Sequence, residues 1–313
     1  MLSVFSYLMP FTPYPYVGES AACDLCGSKD YHVICEHDRR LKRLRTVACH
    51  RCALMRTDPM PTLAEITRYY ADTYRFDYGL SVGGPSRRHL NRSHRQAADR
   101  LKSLAPALQS PTRILDFGSG AGVFLARAQA EGHDVLGIEP GTQFAAYSRE
   151  KLGIEVINDS WENVELSKKF DLITAVEVLE HLRNPVEALT WLGQLLSDDG
   201  VIYITVPNML PSSKETFRRF HFAHLHNFTP DTLLLAGTAA GLELDPRFQF
   251  GGTKMVFRKG HEKAGLPTLD GNYGKGLPAL YPDASVARYL LSGRFLTAAG
   301  RRLIKTIRDS LPG

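Results

Sequence analysis

The stretch "RILDFGSGAG", residues 113–122, gives the first indication of how this chain folds. An apolar run leads into the acid Asp116, and glycines then follow at every second position: Gly118, Gly120 and Gly122. Because glycine lacks a Cβ, the chain can turn sharply there and its backbone N–H groups can approach a ligand closely. The pattern therefore predicts a strand that ends in a ligand-binding loop.

Strands and helices alternate from this stretch onward. The hydrophobic pattern predicts strands at 113–117, 134–138, 154–157, 170–176, 200–206, near 244–250 and at 254–258. It predicts helices around 122–131, 142–152, 185–197 and 229–240. Such alternation implies an α/β fold whose mostly parallel sheet is covered on both faces, with ligands bound beyond the carboxyl ends of the strands. The last two strands have no helix between them, which predicts an antiparallel hairpin at one edge.

The spacing of the glycines distinguishes between nucleotide-binding loops. A P-loop ends in Gly-Lys-Ser/Thr, whereas Gly122 is followed by Val123 and Phe124. A dinucleotide-binding Gly-x-Gly-x-x-Gly loop would need its third glycine where Val123 stands. Both loops are excluded. Gly-x-Gly-x-Gly, with an acid two residues before it, resembles the first motif of class I S-adenosylmethionine (SAM) dependent methyltransferases.

The resemblance implies a cofactor site that extends beyond the three glycines, which would admit the methionine chain and ribose of SAM. Asp116 and backbone carbonyls would accept hydrogen bonds from the cofactor's ammonium group. Glu139, at the end of the second strand, would accept them from both ribose hydroxyls. Asp159 stands at the family's adenine-contacting acid position, flanked by Ser160 and Trp161. The Trp161 ring could stack on adenine or be an ordinary core aromatic.

Two further blocks match the family in order. "FDLITAVEVLEHLRNP" (170–185) and "GVIYITVPN" (200–208) correspond to its fourth and fifth strands, so the resemblance covers about 113–250. It implies a Rossmann-like sheet of seven strands and an enzyme that uses SAM. We expect the acceptor to be a small molecule, such as a sugar nucleotide, a glycan or a secondary-metabolite intermediate. O-methylation is favoured over C- or N-methylation.

The cysteines form a second pattern. All five lie within the first 52 residues, and four of them form two Cys-x-x-Cys pairs: Cys23 with Cys26, and Cys49 with Cys52. Each tight turn presents two thiolates, so the two pairs suit a closed, structural Zn²⁺ site. Redox dithiols and incidental buried cysteines are the alternatives, which two matched pairs in a reducing compartment disfavour. The fifth thiol, Cys35, is expected to pack in a strand.

The segment from the first cysteine pair to "DPMPTLAEITRYYADTY" resembles the N-terminal zinc-binding portion of a subset of these methyltransferases, which includes deoxysugar methyltransferases. Within it, Thr62 and Glu65 form a capping-box pattern that predicts the start of a helix. The basic run "RLKRLR" (40–45) could contact a phosphate, although a solvated loop is favoured.

Methyl transfer to a hydroxyl or carbon acid requires removal of a proton, so we expect a base near the cofactor. Candidates should lie just past the fourth and fifth strands. In "EVLEH", Glu177, Glu180 and His181 would converge on a helical turn. In ubiquinone-pathway O-methyltransferases this Glu-x-x-Glu-His arrangement is associated with a Mg²⁺ site beside the cofactor. The alternative is that it orders the loop near SAM, and a pocket-lining role for Glu177 and His181 is favoured over metal binding.

A histidine-rich segment, "FHFAHLHNFTPDTL" (220–233), follows the fifth strand. It resembles the substrate-side insertion in which related sugar methyltransferases place a histidine base, and histidine has a suitable pKa for that role. His226 aligns best with the position of the base, and His224 is next; His221 also lies in the segment. The alternative is that each histidine only forms hydrogen bonds within the loop.

These patterns divide the chain into four predicted parts. They are a zinc ribbon at 20–58, a helical connector at 59–110, the methyltransferase domain at 111–260 and a C-terminal extension at 261–313. The extension contains a basic amphipathic helix (288–311). That helix could lie on a membrane surface, although packing on the domain or on a partner chain is favoured.

Composition limits the function. The chain is 43% hydrophobic and 23% charged, which is typical of a soluble globular protein, and no apolar run approaches the ~20 residues that span a bilayer. The N-terminus has no basic n-region and contains several prolines, so it is a poor match to a signal peptide and a cytoplasmic location is expected. The net charge of +5 permits an anionic substrate without indicating nucleic acid.

Two alternative functions remain. An RNA methyltransferase could use the zinc ribbon for recognition, but the fourth strand reads "AVEVLEH" rather than the Asn/Asp-Pro-Pro-Tyr of amino-methylating enzymes. A non-catalytic binding module is the other, and the intact set of Asp116, the three glycines and Glu139 argues against it.

Overall fold

A computed structural model of the chain describes residues 9–72, 84–109, 111–210, 216–260, 275–276, 281 and 286–291. The strands are β1 (Tyr31–His37), β2 (Arg43–Cys49), β3 (Met55–Thr57), β4 (Arg113–Phe117), β5 (Asp134–Ile138), β6 (Val156–Ile157), β7 (Phe170–Val176), β8 (Leu196–Thr205), β9 (His226–Asn227), β10 (Leu242–Leu244) and β11 (Lys254–Lys259). The helices are α1 (Leu63–Asp72), α2 (Arg87–Ser103), α3 (Val123–Ala130), α4 (Thr142–Leu152), α5 (Pro185–Leu195), α6 (Pro230–Ala239) and α7 (Val286–Leu291).

The larger sheet has seven strands in the order β10-β11-β8-β7-β4-β5-β6. Neighbours from β8 to β6 pair in parallel, whereas β11 is antiparallel to β8 and β10 to β11. The predicted α/β fold, its seven strands and its antiparallel edge hairpin are therefore confirmed.

Adjacent residues of each central strand belong to different cores, as expected for a sheet covered on both faces. On β4, Ile114 packs with α2, α3 and α4, whereas Leu115 packs with α5 and α6. Both side chains are fully buried. The uninterrupted apolar run that predicted a covered strand thus reflects two separate hydrophobic layers.

Among the predicted boundaries that differ from the structure, two have a clear physical cause. The helix predicted at 185–197 ends at Leu195, and β8 begins at once, because buried Leu196 pairs with Phe170 while the polar residues after it form an irregularity in the ladder. The strand predicted near 244–250 ends at Leu244. There the Asp245 carboxylate accepts a hydrogen bond from the Arg247 backbone N–H at 2.9 Å, which turns the chain away from the sheet.

The smaller sheet joins the N-terminal segment to the histidine-rich segment. Its order is β1-β2-β3-β9, and every pair is antiparallel. Met55 pairs with Asn227, and Arg56 with His226. The cysteines of the predicted ribbon also share a core with α5 and α6. The domain boundaries remain predictions, but the predicted ribbon shares both a sheet and a hydrophobic core with the rest of the chain.

The connector begins as its capping box predicts. The Glu65 backbone N–H donates to Thr62 Oγ1 at 3.3 Å, and Glu65 Oε2 accepts from the Thr62 N–H at 2.8 Å. The predicted C-terminal helix at 288–311 falls largely outside the described residues. Among the helices that are described, none has the length and apolar character needed to cross a membrane.

Packing of α6 on β11 gives a stability prediction. Alanine usually stabilises a helix by about 1 kcal/mol relative to glycine. A Cβ at Gly237, however, would lie 2.3 Å from the rigid, fully buried ring of Phe257. Overpacking of this kind costs about 1–3 kcal/mol, so we expect Gly237→Ala to lower the free energy of unfolding in urea denaturation.

The matched control is Gly193→Ala in α5. A Cβ there meets only a terminal methyl of Leu242, at 3.2 Å, which can shift. We expect the stability of this variant to equal or exceed that of wild type. If Gly237→Ala behaved in the same way, the described packing of α6 on β11 would be incorrect.

Candidate functional site

The glycine loop after β4 is closed on one side and open on the other. Its Gly118 and Ser119 backbone N–H groups both donate to the Ile138 carbonyl, at 2.9 and 3.0 Å, which holds the loop against β5. Gly118 has φ +75°, and a Cβ there would lie 2.4 Å from Val178 Cγ2. Gly120 has φ +54°, and a Cβ there would meet nothing within 4 Å. The open side can therefore admit a ligand against the backbone of the loop.

Glu139 meets this loop as the sequence predicts. Its Oε2 accepts a hydrogen bond from the Gly120 N–H at 2.8 Å, and its Oε1 accepts one from the Gly141 N–H at 2.7 Å. Burial raises the pKa of Glu139 to about 7, although these two hydrogen bonds act in the opposite direction. A carboxylate and the open side of the loop thus lie side by side.

Asp116, at the base of the loop, already has partners within the protein. The Thr174 hydroxyl donates to its Oδ1, and Arg100 Nη1 of α2 lies 3.4 Å from the same atom. Burial raises the pKa of Asp116, and the Arg100 charge opposes that rise. Sequence reasoning missed Arg100, because nothing in the basic pattern of α2 singles out this one guanidinium.

The predicted adenine-side residues follow β6 at the edge of the sheet. Asp159 is exposed, and hydrogen bonds from the Asn163 side chain and the Ser160 N–H lower its pKa. The Trp161 ring packs at the edge of the main core, with its centroid 5.8 Å from that of Trp191. That contact favours the core-aromatic alternative for Trp161, and its contact with adenine stays a prediction.

The turn after β7 differs from the expected helical convergence. Glu177 adopts a left-handed backbone with φ +57°, and a 3-10 turn covers only Leu179–His181. Glu177 is therefore not on a continuous helical turn with Glu180 and His181. The ligand atoms that gather within 4.8 Å of one another belong instead to Glu180, His181 and His224, which we call the Glu-His-His group.

Within the Glu-His-His group, Glu180 Oε1 lies 3.9 Å from Nε2 of His181 and 3.9 Å from Nε2 of His224. His181 Nδ1 lies 2.8 Å from the Ala223 carbonyl oxygen. Because a carbonyl only accepts hydrogen bonds, Nδ1 carries the proton in the neutral ring and Nε2 presents its lone pair. Burial lowers the pKa of His181 to about 4 and holds that of His224 well below its ordinary value.

The other two histidines of the segment lie on either side of His224. The His221 ring centroid is 3.7 Å from that of His224. His226 lies in β9, is fully buried and forms a 3.0 Å hydrogen bond between its Nδ1 and the Leu182 carbonyl. Burial lowers the pKa of His226 to about 4. The structure thus brings His224, rather than the better-aligned His226, to His181.

Aromatic side chains that sequence reasoning did not select surround the histidine segment. Tyr14 stacks on Phe222 at 4.6 Å between ring centroids, and Tyr69 meets the same ring edge-on at 4.9 Å. Tyr70 contacts His181 edge-on at 6.3 Å. The only sequence signal was the tyrosine enrichment of "YPYVG" and "RYYAD", which gives no indication of the partner.

The four paired cysteines form one cluster. Their sulfurs all lie within 4.8 Å of one another, with Cys23 and Cys52 separated by 3.4 Å and Cys26 and Cys49 by 3.5 Å. Tetrahedral Zn²⁺ with Zn–S bonds of about 2.3 Å spaces its sulfurs by about 3.8 Å, so the cluster fits such an ion. Cys35 belongs to a different core cluster, and its thiol donates to the His37 carbonyl at 3.2 Å.

Comparison with known proteins identifies the family of the chain. The family model described as a methyltransferase domain matches residues 87–246. The chain is 30% identical over 109 residues to an uncharacterized methyltransferase of Alkaliphilus oremlandii, covering 33% of this chain and 50% of that protein. It is 32% identical over 108 residues to the ubiquinone biosynthesis O-methyltransferase of Nitrosococcus oceani, covering 32% and 46%. The chain thus spans about half the length of the curated relatives it matches.

Solved methyltransferase structures also match. One is an amino pentose methyltransferase from Micromonospora echinaspora, with a TM-score of 0.43 and 19% identity, covering 52% of this chain and 89% of that one. Another is DesVI of Streptomyces venezuelae, with a TM-score of 0.42 and 15% identity, covering 60% and 96%. At these scores the fold rests on the strand order described above rather than on the likeness.

Proposed function

This chain belongs to the methyltransferase-domain family, and on that basis we propose that it transfers the methyl group of SAM to an oxygen of a small-molecule acceptor. The observation that carries the proposal is the glycine loop, open at Gly120 and bordered by the Glu139 carboxylate. Bound SAM would supply an electrophilic methyl group. The residues of the chain would bind the cofactor and the acceptor, align them and remove the acceptor's proton.

The cofactor site would use the residues that the sequence predicted. Glu139 would accept hydrogen bonds from the ribose hydroxyls, since each of its oxygens has a lone pair beyond the one used by the loop N–H. Gly118, Gly120 and Gly122 would line the methionine chain. Asp116 would accept a hydrogen bond from the ammonium group of SAM, while its ion pair with Arg100 holds the base of the loop. Asp159, Ser160 and Trp161 would lie on the adenine side.

The acceptor's proton would leave at the Glu-His-His group. Burial lowers the pKa of both histidines, so their rings are neutral at pH 7 and offer lone pairs, but each is a weaker base than the near-neutral histidine that the sequence predicts. His226 is enclosed in β9, so we assign it to positioning the Leu182 carbonyl rather than to proton removal. Glu177, on the left-handed residue at the start of the turn, is proposed to line the pocket.

The acceptor class is proposed to be a sugar nucleotide, a glycan or a related metabolite. The aromatic side chains around Phe222 offer apolar surfaces on which a ring could stack. Several relatives are ubiquinone biosynthesis O-methyltransferases, which supports oxygen as the acceptor atom. The mild net charge of +5 gives no support to a polyanionic acceptor.

We also propose that Cys23, Cys26, Cys49 and Cys52 hold a structural Zn²⁺. The first Cys-x-x-Cys pair lies close to the proposed acceptor site, because the Asp24 carboxylate between the two cysteines accepts a 3.1 Å hydrogen bond from the Val186 N–H at the start of α5. The ion would thereby support the turn that carries Glu180 and His181.

Methyl transfer from radiolabelled SAM into a lysate of the source organism tests the function, with the lysate fractionated into RNA, protein, lipid and small polar pools. We expect label in the small polar or glycolipid pool. His224→Ala should reduce it about 100-fold or more, because proton transfer contributes 10²–10⁴-fold. His94→Ala, which changes an exposed histidine of α2, should leave it unchanged.

Two other results would contradict the proposal, each in a specific way. Label in RNA would make the chain an RNA methyltransferase with the ribbon as its recognition element. Absence of label together with absence of SAM binding would make it a binding module. Circular dichroism of His224→Ala would separate loss of chemistry from loss of folding.

The pKa of Glu139 predicts a pH dependence for SAM affinity. Burial raises that pKa to about 7, and the ribose hydroxyls need the charged carboxylate as acceptor. Affinity should therefore fall as the pH drops, by about tenfold from pH 8 to pH 6, because the protonated fraction rises. Calorimetric titration of wild type and of Glu139→Gln would measure it. The variant should bind SAM more weakly, and its affinity should lack the pH dependence that ionisation of Glu139 causes. A pH profile of SAM affinity that is the same in the variant as in wild type would contradict the assignment.

Two cysteine variants test the zinc site, one inside the four-cysteine cluster and one outside it. Cys49→Ser should lose one equivalent of zinc and unfold at a lower temperature, because a closed thiolate site contributes its binding energy to folding. Cys35→Ser changes another buried cysteine outside the cluster and should keep its zinc. Metal analysis and thermal unfolding would measure both. Equal zinc content in the two variants would contradict the four-cysteine site.

A further inference from the structure

We propose that Glu180, His181 and His224 bind a divalent first-row transition ion such as Zn²⁺, at a second metal site distinct from the four-cysteine cluster. The residues come from two segments, the turn after β7 and the histidine-rich segment before β9. The binding claim stands without methyl transfer; only the use of the ion rests on the proposed function.

The spacing of the ligand atoms suits one shared ion. The carboxylate oxygen lies at equal distances, 3.9 Å, from the two imidazole Nε2 atoms, and the three ligand atoms all fall within 4.8 Å of one another. Zinc bonds to nitrogen and oxygen are about 2.0–2.2 Å long, so two ligands of one ion stand about 3–4 Å apart. These distances are too long for direct hydrogen bonds between the side chains.

The Glu180 carboxyl is otherwise unexplained. It is only 1% exposed, and neither of its oxygens has a hydrogen-bond partner among the residues that the structure describes. A charged carboxylate that is buried without a partner is strongly unfavourable. A divalent ion at the meeting point of the three side chains would remove that cost.

His181 faces the carboxylate with a ring-nitrogen lone pair, which suits a metal ion and not a hydrogen bond between the two side chains. The Ala223 carbonyl holds the proton on His181 Nδ1, so the Nε2 lone pair points toward Glu180. Metal-binding histidines usually donate their second ring N–H to such a carbonyl, which fixes the tautomer. Since Ala223 precedes His224 directly, the same short segment orients one ligand and supplies the next.

The donor set disagrees with the Mg²⁺ site that the Glu-x-x-Glu-His resemblance implies. Glu177 is not a member of the group, and its left-handed backbone interrupts the helical turn that would bring it in. Mg²⁺ prefers oxygen ligands and keeps several waters. Two imidazoles with one carboxylate are instead typical of catalytic zinc and non-haem iron sites, which leave coordination positions open.

An open position would give the ion a use within the proposed function. An acceptor hydroxyl bound there would have a lowered pKa, so it would release its proton to solvent water more readily near neutral pH. His181 and His224 would then act as ligands rather than as free bases. The selection of oxygen acceptors able to bind a metal would follow from the same contact.

The test counts metal ions on the full-length, tag-free chain after equilibration with Zn²⁺ and removal of excess, by native mass spectrometry and elemental analysis. We expect two ions in wild type. Glu180→Gln and His224→Gln should each retain one ion, and Cys49→Ser should lose the other one. Glu177→Gln is the matched control, a carboxylate of the same turn, and should keep two.

Cobalt substitution assigns the ions without relying on variants that could misfold. Co²⁺ at the four cysteines should give intense sulfur-to-metal charge transfer. Co²⁺ at the Glu-His-His group should add visible absorption bands without sulfur-to-metal charge transfer. These bands should disappear in His224→Gln, while the circular dichroism spectrum of that variant stays the same as that of wild type. A single ion in wild type, with no second cobalt spectrum, would overturn the site. Loss of the second ion in Glu177→Gln but not in His224→Gln would overturn the ligand set in favour of the Mg²⁺-type arrangement.

The outcome is separable from that of the proposed function, because metal is counted in the absence of SAM and acceptor. Two ions without methyl transfer would leave the site standing and contradict the function. Methyl transfer with one ion would leave the function standing and contradict the site.

Discussion

Parallel pairing of β4 with β5 on one side and β7 on the other is the constraint on which the site depends. Phe117 pairs with Ile138 and with Ala175, so the three strands end at the same level of the sheet. The glycine loop, Glu139 and the turn after β7 each begin within two residues of those ends. The pairing of the strand backbones is therefore sufficient to place Glu139, the glycine loop and the turn after β7 at the same edge of the sheet.

The pairing of β3 with β9 is a second constraint on the site. It ties the cysteine-bearing segment to the histidine-rich segment, and Arg56 of β3 forms a buried ion pair with Asp58 at 2.9 Å. Asp24 makes a second connection to the start of α5. The N-terminal segment therefore packs directly against the histidine-rich segment and α5 and is not a separate appendage.

The sequence alone determined the α/β class, the central strands and the meeting of Glu139 with the glycine loop. These follow from local rules: apolar runs form covered strands, glycines permit left-handed backbone at a tight turn, and consecutive parallel strands end at one edge. The cysteine cluster was equally predictable, because two Cys-x-x-Cys turns can converge whatever the rest of the chain does. The ends of helices and strands were predicted less accurately. β8 begins early, at Leu196, because the pairing of this buried residue with Phe170 outweighed the local preference for a turn.

Only the tertiary structure decided the composition of the Glu-His-His group. Helical spacing suggested that Glu177 would join Glu180 and His181, but the left-handed backbone of Glu177 breaks that periodicity. The tautomer of His181 is set by a carbonyl 42 residues away in sequence, and His224 rather than His226 comes into range because β9 encloses the latter. Which side chains meet across segments depends on the pairing and packing of the whole chain, and a one-dimensional pattern does not contain that information.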